Sequence, residues 1–332
     1  MTKQALIIIP YFGILPEWFQ LFIDSCRSEL VDFLLITDDS TPYIFPANFI
    51  VFIKTFNHFK DDFMKKVGQN IYLEHPYKLC DYRPLFGKVF LNETKNYNYW
   101  GYSDIDLIFG DIDYFLEPYF KAGFEKLFRY GHFSLYKNDN VMRELYKEKI
   151  INYNFDFVKS TSIPCHFDEV SINTMIVSTQ KELIQTEPFH NININYKNFA
   201  VGNGKPAHPQ LISKKGRKLY LIELINDQIV EKEFFYIHFM RRKNLPVYKL
   251  VDKYVICVEG FIPFKTAAEL RQLFTKYGLP VKNNIEDLYQ KKLLKERRAN
   301  KFKTFKREVE YFGLKGIYNI FYHYFLHKLW KY

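Results

Sequence analysis

Two acidic side chains, Asp104 and Asp106, stand one residue apart after an aromatic run that covers residues 97–102. In an extended segment, side chains two positions apart point to the same face, so these carboxylates lie close and repel each other. A hard divalent cation with oxygen ligands, Mg²⁺ or Mn²⁺, relieves that repulsion and also binds phosphate oxygens. The spacing therefore indicates a metal site. The alternative is a pair of solvated acids at a strand end.

A histidine far along the chain offers a third ligand. His238 lies near the end of a second aromatic run, residues 234–239, and a cationic stretch with Arg241 and Lys243 follows it. A neutral imidazole can complete a metal site begun by two aspartates, and the cations after it can neutralise phosphate. The alternative is a structural histidine at a strand end.

Lys78, Asp81 and Arg83 form a charged group in the segment before the acid pair. Arginine offers a paired set of donors to phosphate and lysine offers a point charge, so the group could hold a diphosphate. Asp81 would then orient either cation. The alternative is an ion-pair cluster on the surface.

A second pair of acids, Asp168 and Glu169, enters an apolar segment. Acids at that position suit the beginning of a helix, where the helix dipole favours negative charge. The same carboxylates could instead face a sugar or an acceptor and remove a proton from an attacking hydroxyl. Both interpretations remain open at the level of the sequence.

Short apolar runs at residues 5–10, 33–37 and 49–53 predict buried strands. A helical pattern separates the first two, which predicts a parallel sheet with helical crossovers. Ligands of such sheets bind beyond the carboxyl ends of the strands. The residues at those ends that we expect to contact a ligand are Pro10, Tyr11, Phe12, Asp38 and Asp39.

Periodicity predicts the elements that must position these groups. Helices are expected over residues 59–67, 77–91 and 112–127, and residues 170–177 fit either a strand or a buried helix. Strands are expected over residues 132–136, 251–258 and the two arms of a hairpin, 218–224 and 229–239.

Bulk properties exclude several classes of protein. The 332 residues include 48% hydrophobic and 25% charged residues, as in a globular protein, and four widely spaced cysteines that form no zinc or disulfide framework. The apolar run at residues 5–9 is too short for a signal peptide, and no run has the ~20 apolar residues that a transmembrane helix needs. We therefore expect a cytoplasmic protein.

The net charge of +10 is concentrated at the C-terminus. Residues 291–332 contain 12 Lys/Arg and 3 Asp/Glu, whereas the other 290 residues contain 35 and 34. A basic, aromatic helical tail fits the cytoplasmic surface of a membrane, and the alternative is a helix packed on the body. Nucleic acid is not expected as a partner, because the body has no basic excess.

Taken together, these segments resemble bacterial glycosyltransferases of the GT-A (nucleotide-diphospho-sugar transferase) fold, of the capsule and lipopolysaccharide type. The resemblance covers about residues 4–245, and its most specific part is the Trp-Gly-Tyr-Ser-Asp-Ile-Asp-Leu-Ile-Phe-Gly motif at residues 100–110. The other matching segments are residues 8–13, 37–39, 76–84, Asp168-Glu169 and the segment around His238.

The resemblance implies an α/β fold with a mixed, mostly parallel sheet flanked by helices. We expect a catalytic domain of this type over residues 1–262, and the basic composition of the C-terminus predicts a helical extension over residues 263–332. Its implied roles are a nucleoside site at Pro10, Tyr11, Phe12, Asp38 and Asp39; diphosphate or donor-sugar contacts from Lys78, Asp81 and Arg83; metal ligation by Asp104, Asp106 and His238; and sugar or acceptor contacts by Asp168 and Glu169. The chain departs from the family pattern after His238, where Arg241 and Lys243, expected from their charge to contact the donor, stand in place of the Gly- and Lys-containing signature of related retaining enzymes.

The expected function is that of a metal-dependent hexosyltransferase, with Mn²⁺ or Mg²⁺ as cofactor and a nucleotide sugar, preferentially a UDP-sugar, as donor. The expected acceptor is a glycan or a lipid-linked oligosaccharide of a bacterial surface polysaccharide. The expected location is peripheral, at the cytoplasmic face of the membrane, through the tail. The alternatives are a nucleotidyl or phosphoryl transferase on a similar sheet and a non-catalytic polysaccharide assembly protein.

Overall fold

The computed structural model of the protein describes residues 2–68, 70–149, 154–184, 188–193, 195–196, 198–202, 205–240, 245–247, 249 and 251–281. The chain divides into two compact units, of which the first consists of residues 1–193 and 198–280. Only three described residues belong to the second unit, so the fold defined by the structure is that of the first. The predicted tail lies outside the described residues.

The described strands are, in chain order, Ala5–Tyr11 (β1), Val31–Thr37 (β2), Phe49–Ile53 (β3), Tyr99–Ser103 (β4), Leu107–Phe109 (β5), Lys126–Leu127 (β6), Phe133–Lys137 (β7), Leu183–Ile184 (β8), His190–Asn191 (β9), Gln210–Lys215 (β10), Lys218–Ile225 (β11), Gln228–Glu233 (β12), Tyr236–His238 (β13), Lys253–Cys257 (β14) and Gly260–Pro263 (β15). The described α-helices are Phe19–Ser25 (α1), Phe56–Val67 (α2), Leu79–Tyr82 (α3), Phe86–Val89 (α4), Leu91–Thr94 (α5), Ile112–Ala122 (α6), Asn140–Glu144 (α7), Phe155–Ser160 (α8), Ile172–Ser178 (α9) and Ala267–Leu273 (α10). Shorter helical turns cover Pro76–Lys78, Arg83–Leu85, Leu145–Lys147, Phe167–Ser171 and Phe274–Gly278.

Within these residues the strands form three sheets. The first has the order β3-β2-β1-β4-β7-β6-β8, the second β12-β11-β10-β14-β15, and the third β5-β13-β9. Strands β3, β2, β1 and β4 run parallel, and β7 pairs antiparallel with β4. The protein is therefore an α/β protein with mixed sheets, as the order of elements in the sequence predicts.

The central strand β1 is buried on both of its faces. Ala5, Ile7 and Ile9 pack into one hydrophobic cluster, and the alternate side chains Leu6 and Ile8 pack into another. Since neighbouring side chains of a strand point to opposite faces, a run without polar residues requires cover on both sides of the sheet. The uninterrupted apolar run thus places β1 in the middle of the sheet.

The predicted strands at residues 5–10, 33–37 and 49–53 are confirmed as β1, β2 and β3. The prediction that the third is buried is wrong, because β3 lies at the edge of the sheet and is partly exposed. The ambiguous segment 170–177 is helical, as α9. The prediction of one helix over residues 77–91 is wrong, because short turns interrupt this segment. Pro84 lacks the N–H that a continuous helix needs. The predicted helix over residues 112–127 ends at Ala122, where Gly123 adopts the left-handed conformation with φ 77°.

The prediction of a mostly parallel sheet is wrong for the described chain. All pairings of the five-stranded sheet are antiparallel, and so is the pairing of β5 with β13. For the hairpins of the five-stranded sheet the cause is short connections: a two-residue turn at Asn226 and Asp227 joins β11 to β12, for example, whereas parallel neighbours need long crossovers. The predicted strand over residues 229–239 is also split, with its second part β13 in another sheet.

The region predicted to be a C-terminal extension begins inside β15. Its described part continues as α10 and the helical turn Phe274–Gly278, from which Leu270, Phe274 and Tyr277 share a hydrophobic cluster with residues of the five-stranded sheet. Among the described residues, no helix is both long enough and apolar enough to cross a bilayer.

A buried lysine lies in the first sheet. Lys126 is fully buried, its ammonium donates to the carbonyl oxygen of Phe128 and to Ser134 Oγ (3.1 Å), and it lies over the ring of Tyr136. Burial lowers the pKa of Lys126 to about 7, although the charges of Asp168 and Glu169 oppose the shift. Its pKa in the unfolded chain is about 10.4, so the unfolded state holds more protons between these values.

We therefore expect the wild-type free energy of unfolding to rise with pH from about 7 towards 10, by up to about 1.4 kcal/mol per pH unit from this group. The Lys126→Met variant lacks this contribution. In this variant Ser134 Oγ still donates to the Phe128 oxygen (2.9 Å), so that buried acceptor keeps a partner. The free energy of unfolding of the variant relative to wild type should fall as the pH rises from about 7 towards 10, because only the wild type gains stability from Lys126 over this range. Urea unfolding at several pH values measures the difference. The exposed control Lys65→Met should follow the wild-type curve; a Lys126→Met curve parallel to wild type would contradict the prediction.

Candidate metal centre

The acid pair lies where the first and third sheets meet. Strand β4 ends at Ser103, and the next residue, Asp104, donates its backbone N–H to the carbonyl oxygen of His132 (2.8 Å). After Asp106 the chain enters β5, whose first residue pairs with His238 on β13. The backbone N–H of Phe239 donates to the carbonyl oxygen of Asp106 (2.9 Å). This pairing brings His238 beside the acids despite the long separation in sequence.

The three predicted ligands are close enough to share one ion. One ligand atom from each of Asp104, Asp106 and His238 lies within 4.8 Å of the others. His238 Nε2 lies 3.5 Å from Asp106 Oδ1. The side chains of Asp106 and His238 are 11% and 12% exposed and that of Asp104 is 32% exposed, so the cluster opens to solvent on the Asp104 side.

A second residue orients the imidazole. His238 Nδ1 lies 2.8 Å from Asn191 Oδ1 on the neighbouring strand β9. A carbonyl oxygen accepts, so Nδ1 donates and Nε2 is left facing the acids, an arrangement typical of histidines that bind metals. Burial would lower the pKa of His238, but the hydrogen bond and charge of Asp106, with the charges of Asp104 and Glu169, raise it. A proton and a metal ion would therefore compete for Nε2.

Glycine at position 110 permits the close approach of β5 and β13. The backbone N–H of Gly110 donates to the carbonyl oxygen of Phe235 (2.5 Å), and a Cβ on Gly110 would lie 2.7 Å from the carbonyl oxygen of Phe234. A side chain here would separate the strands and move His238 away from the acids. The close pairing of β5 with β13 thus explains why the motif at residues 100–110 ends on a glycine.

Arg83 lies between the acid pair and the second pair of carboxylates. Its Nη2 donates to Asp104 Oδ1, and its Nη1 donates to Asp168 Oδ2 (3.1 Å) and to the carbonyl oxygen of Gly131 (2.6 Å). The guanidinium also stacks over the ring of Tyr102, 5.0 Å from its centroid. Three residues that the sequence assigned to separate groups therefore form one connected network.

The turn that carries Asp168 and Glu169 is unusual. It is a single π-helical turn, Phe167–Ser171, preceded by His166 in the left-handed conformation with φ 52°. Such turns occur frequently at functional sites. Glu169 Oε1 accepts from the backbone N–H of Gly131 (2.7 Å), and a Cβ on Gly131 would lie 2.6 Å from Asp168 Oδ2. Glycine at position 131 therefore makes room for both carboxylates.

Asp168 is a carboxyl group with a strongly altered environment. Burial raises its pKa to about 8, with a smaller contribution from the charge of Glu169, although the Arg83 guanidinium opposes the shift. A carboxyl with a pKa near neutrality can both accept and release a proton at physiological pH. The position beside Arg83 and Asp104 thus provides a group suited to acid–base chemistry.

Lys78 and Asp81 are buried beneath the site and are not a surface cluster. Lys78 Nζ donates to Asp81 Oδ2 (2.7 Å) and to the carbonyl oxygen of Ile163 (2.8 Å). Asp81 also accepts from the backbone N–H groups of Cys165 and Phe167. The pair therefore holds the segment that leads into the Asp168 turn, and direct contact with a diphosphate stays a prediction.

The predicted nucleoside loop is held by the two aspartates after β2. Asp38 Oδ1 accepts from the backbone N–H of Gly13 (2.7 Å), and Asp39 Oδ2 accepts from that of Leu15 (3.0 Å). Phe12 packs against aromatic rings of α2, with centroids 5.3 and 5.1 Å away. Pro10 and Tyr11 end β1 and are partly exposed. The structure thus joins the ends of β1 and β2 into one loop surface.

Two residues that lie against His238, Asn191 and His132, were not identified from the sequence. The ring of His132 lies 4.4 Å from that of His238, its Nδ1 lies 3.0 Å from Tyr236 Oη, and its Nε2 is buried with no partner among the described residues. Burial, with the charges of His238 and Arg83, lowers its pKa. Only the pairing of β4 with β7 reveals that His132 lies beside the acids. Arg241 and Lys243 lie outside the described residues.

The donor set fits a hard divalent cation. Two carboxylates and one oriented imidazole are ligands that Mn²⁺ and Mg²⁺ accept, with open positions left for water or phosphate oxygens. Arg83 occupies Oδ1 of Asp104, and within the described part of the chain no donor binds its Oδ2. Asp104, Asp106 and Glu169 carry more negative charge than Arg83 neutralises, which favours a cation here.

Comparisons with known proteins give little beyond a family. A family profile described as "Family of unknown function (DUF6625)" matches residues 7–265. No curated protein matches the chain. A solved structure titled "Crystal Structure of A197 from STIV" is similar at 11% identity over 75% of this chain and 98% of that chain, with a TM-score of 0.28. A likeness at that score supports no argument about fold or function.

Proposed function

The chain belongs to the DUF6625 family, a family of unknown function, and from its site we propose that it is a metal-dependent glycosyltransferase of the GT-A type. It would transfer a hexose from a nucleotide sugar, preferentially a UDP-sugar, to a glycan or lipid-linked acceptor. One observation carries the proposal: Asp104, Asp106 and His238, far apart in the chain, offer ligand atoms within 4.8 Å of one another at the carboxyl end of β4.

The charges around this cluster support transfer from a diphosphate. When a nucleoside diphosphate departs, negative charge develops on its terminal phosphate. A divalent cation held by Asp104, Asp106 and His238 would supply the positive charge that stabilises this group. Arg83 holds Asp104 and Asp168 in place, so its guanidinium positions the site whether or not it also contacts phosphate.

Asp168 and Glu169 supply the proton chemistry that the proposal needs. The acceptor hydroxyl loses a proton as it attacks the sugar, which passes through an oxocarbenium-like state. Asp168, with its pKa raised to about 8 mainly by burial, is a better proton acceptor than an ordinary carboxylate. Glu169 is the more exposed of the two, and its fixed position near Gly131 suits contact with a substrate.

The remaining parts of the proposal rest on the sequence. The loop of Pro10, Tyr11 and Phe12, with Asp38 and Asp39 behind it, would bind the nucleoside. The basic tail would hold the enzyme at the cytoplasmic face of the membrane, where lipid-linked acceptors of surface polysaccharides are presented. We propose Mn²⁺ or Mg²⁺ as the resident ion.

Calorimetry of the full chain with UDP- and GDP-sugars, with and without Mn²⁺, tests the proposal. We expect at least one UDP-sugar to bind with roughly micromolar affinity in the presence of Mn²⁺ and to lose most of that affinity without it. Product analysis with the same donor should detect a free nucleoside diphosphate. Pyrophosphate would instead indicate a nucleotidyl transferase. Nucleotide binding that is absent under all conditions would favour a non-catalytic assembly protein and overturn the proposal.

A further inference from the structure

A cavity lies at the other end of β4 from the acid cluster. It has a volume of about 540 Å³ and borders the first residue of β4, Tyr99, and the last residue of β7, Lys137. The acids follow the last residue of β4, Ser103, which lies about 13 Å from Tyr99 along the strand. We propose that this cavity binds a small organic phosphate, such as a phosphorylated sugar, independently of the proposed metal centre.

The cavity has an excess of positive charge. Lys95, Lys137 and Arg143 line it together with one acid, Asp139. The Asp139 carboxylate accepts from the backbone N–H of Met142 (2.8 Å) and caps α7, so its charge is engaged by the helix. Among the described residues, no carboxylate forms an ion pair with Lys95 or Lys137. Three cations around one cavity repel each other until an anion enters.

The arginine is held in place before any ligand binds. Arg143 Nη1 donates to Asn138 Oδ1 and its Nη2 donates to Asn140 Oδ1, both at 2.6 Å. Asn138 Nδ2 in turn donates to the carbonyl oxygens of Thr94 (2.7 Å) and Tyr97 (2.9 Å). A guanidinium fixed in this way loses little conformational entropy on binding, and its remaining N–H groups match the oxygens of a phosphate.

The aromatic wall indicates that the ligand is larger than phosphate itself. Tyr99 and Phe120 pack with ring centroids 5.1 Å apart, and Tyr97 is held by a hydrogen bond from its hydroxyl to Asp32 (2.7 Å). A volume of about 540 Å³ lies within the ~300–1,000 Å³ range of small-molecule sites. A phosphate at the cations with a sugar against the aromatic wall would fill both parts.

Calorimetry of the full chain in metal-free buffer tests this inference, with glucose 1-phosphate as the probe and with glucose and inorganic phosphate as separate arms. We expect saturable binding of glucose 1-phosphate, weaker binding of inorganic phosphate and none of glucose. Lys95→Gln/Lys137→Gln should weaken glucose 1-phosphate binding by at least roughly tenfold, because two charge-assisted contacts are lost. Both lysines are exposed, so the fold should be retained.

Two controls make the result decisive. Lys65→Gln/Lys232→Gln removes the same charge from exposed positions outside the cavity and should leave the affinity unchanged. Asp106→Asn alters the proposed metal centre and should also leave it unchanged. The inference is overturned by an absence of saturable binding, by wild-type affinity in Lys95→Gln/Lys137→Gln, by equal binding of glucose, or by loss of binding in Asp106→Asn. The first three outcomes leave the glycosyltransferase proposal untouched, whereas loss of binding in Asp106→Asn would place the sugar phosphate at the proposed metal centre instead of in this cavity.

Discussion

Asp106→Asn is expected to weaken Mn²⁺ binding by at least roughly 100-fold, since changes to residues that merely orient a ligand already cost ~10–100-fold. The substitution keeps the shape of the side chain but removes a ligand charge that lies 3.5 Å from His238 Nε2. Mn²⁺ electron paramagnetic resonance of the full chain measures the affinity directly. Transfer of sugar from any donor that the wild type uses should fall with it.

Asp61→Asn is the matched control for this experiment. Asp61 is exposed on α2, and its neutral variant should bind Mn²⁺ as the wild type does. Far-ultraviolet circular dichroism and the urea midpoint should show that Asp106→Asn stays folded. Unchanged Mn²⁺ affinity in a folded Asp106→Asn protein would remove Asp106 from the proposed ligand set.

Arg83→Met is expected to destabilise the protein by about 3 kcal/mol at pH 7, because the oxygens of Asp168 and Gly131 each lose a hydrogen-bond donor, at about 1–3 kcal/mol per buried group. The guanidinium is 12% exposed and binds Asp104, Asp168 and the carbonyl oxygen of Gly131. Without it, the Asp168 pKa should rise further. A raised carboxyl pKa means that the folded state holds more protons, so the loss of stability should grow as the pH rises towards 9.

Two comparisons by urea unfolding separate this effect from a general loss of charge. Arg27→Met removes a 55% exposed arginine that pairs with Asp24, and we expect a loss below about 1 kcal/mol. Arg83→Met/Asp168→Asn removes both members of the buried pair and should recover at least about 1 kcal/mol relative to Arg83→Met at pH 9, where Asp168 would otherwise ionise, with a weaker pH dependence. An additive double variant would show that the two residues act independently.

Much of the first sheet could be predicted from the sequence. The short apolar run of β2 is almost fully buried, and its composition identifies it as a strand. The same local logic places Asp104 at the end of β4, since the aromatic run ends there. It fails over residues 77–91, where apolar residues at helical spacing include Pro84, which breaks the hydrogen-bonding pattern.

Local sequence patterns could not predict which side chains lie close together in the folded protein. The sequence offered Lys78, Asp81 and Arg83 as one charged group, but the fold separates them, with Lys78 and Asp81 buried beneath the site and Arg83 within it. The prediction of a mostly parallel sheet was wrong for a similar reason, because strand direction depends on which strands pair. Asn191 and His132 carry no sequence signal, since each is identified only by its neighbour His238.

The sequence by itself determined the buried strands of the first sheet and the acid pair that follows β4. These depend on residue type and spacing over a few positions, which the backbone geometry of a strand translates directly into structure. The tertiary structure alone decided that His238 joins Asp104 and Asp106 and that Arg83 links them to Asp168. Those contacts depend on the pairing of β5 with β13 and on the packing of the Asp168 turn, which no local pattern encodes.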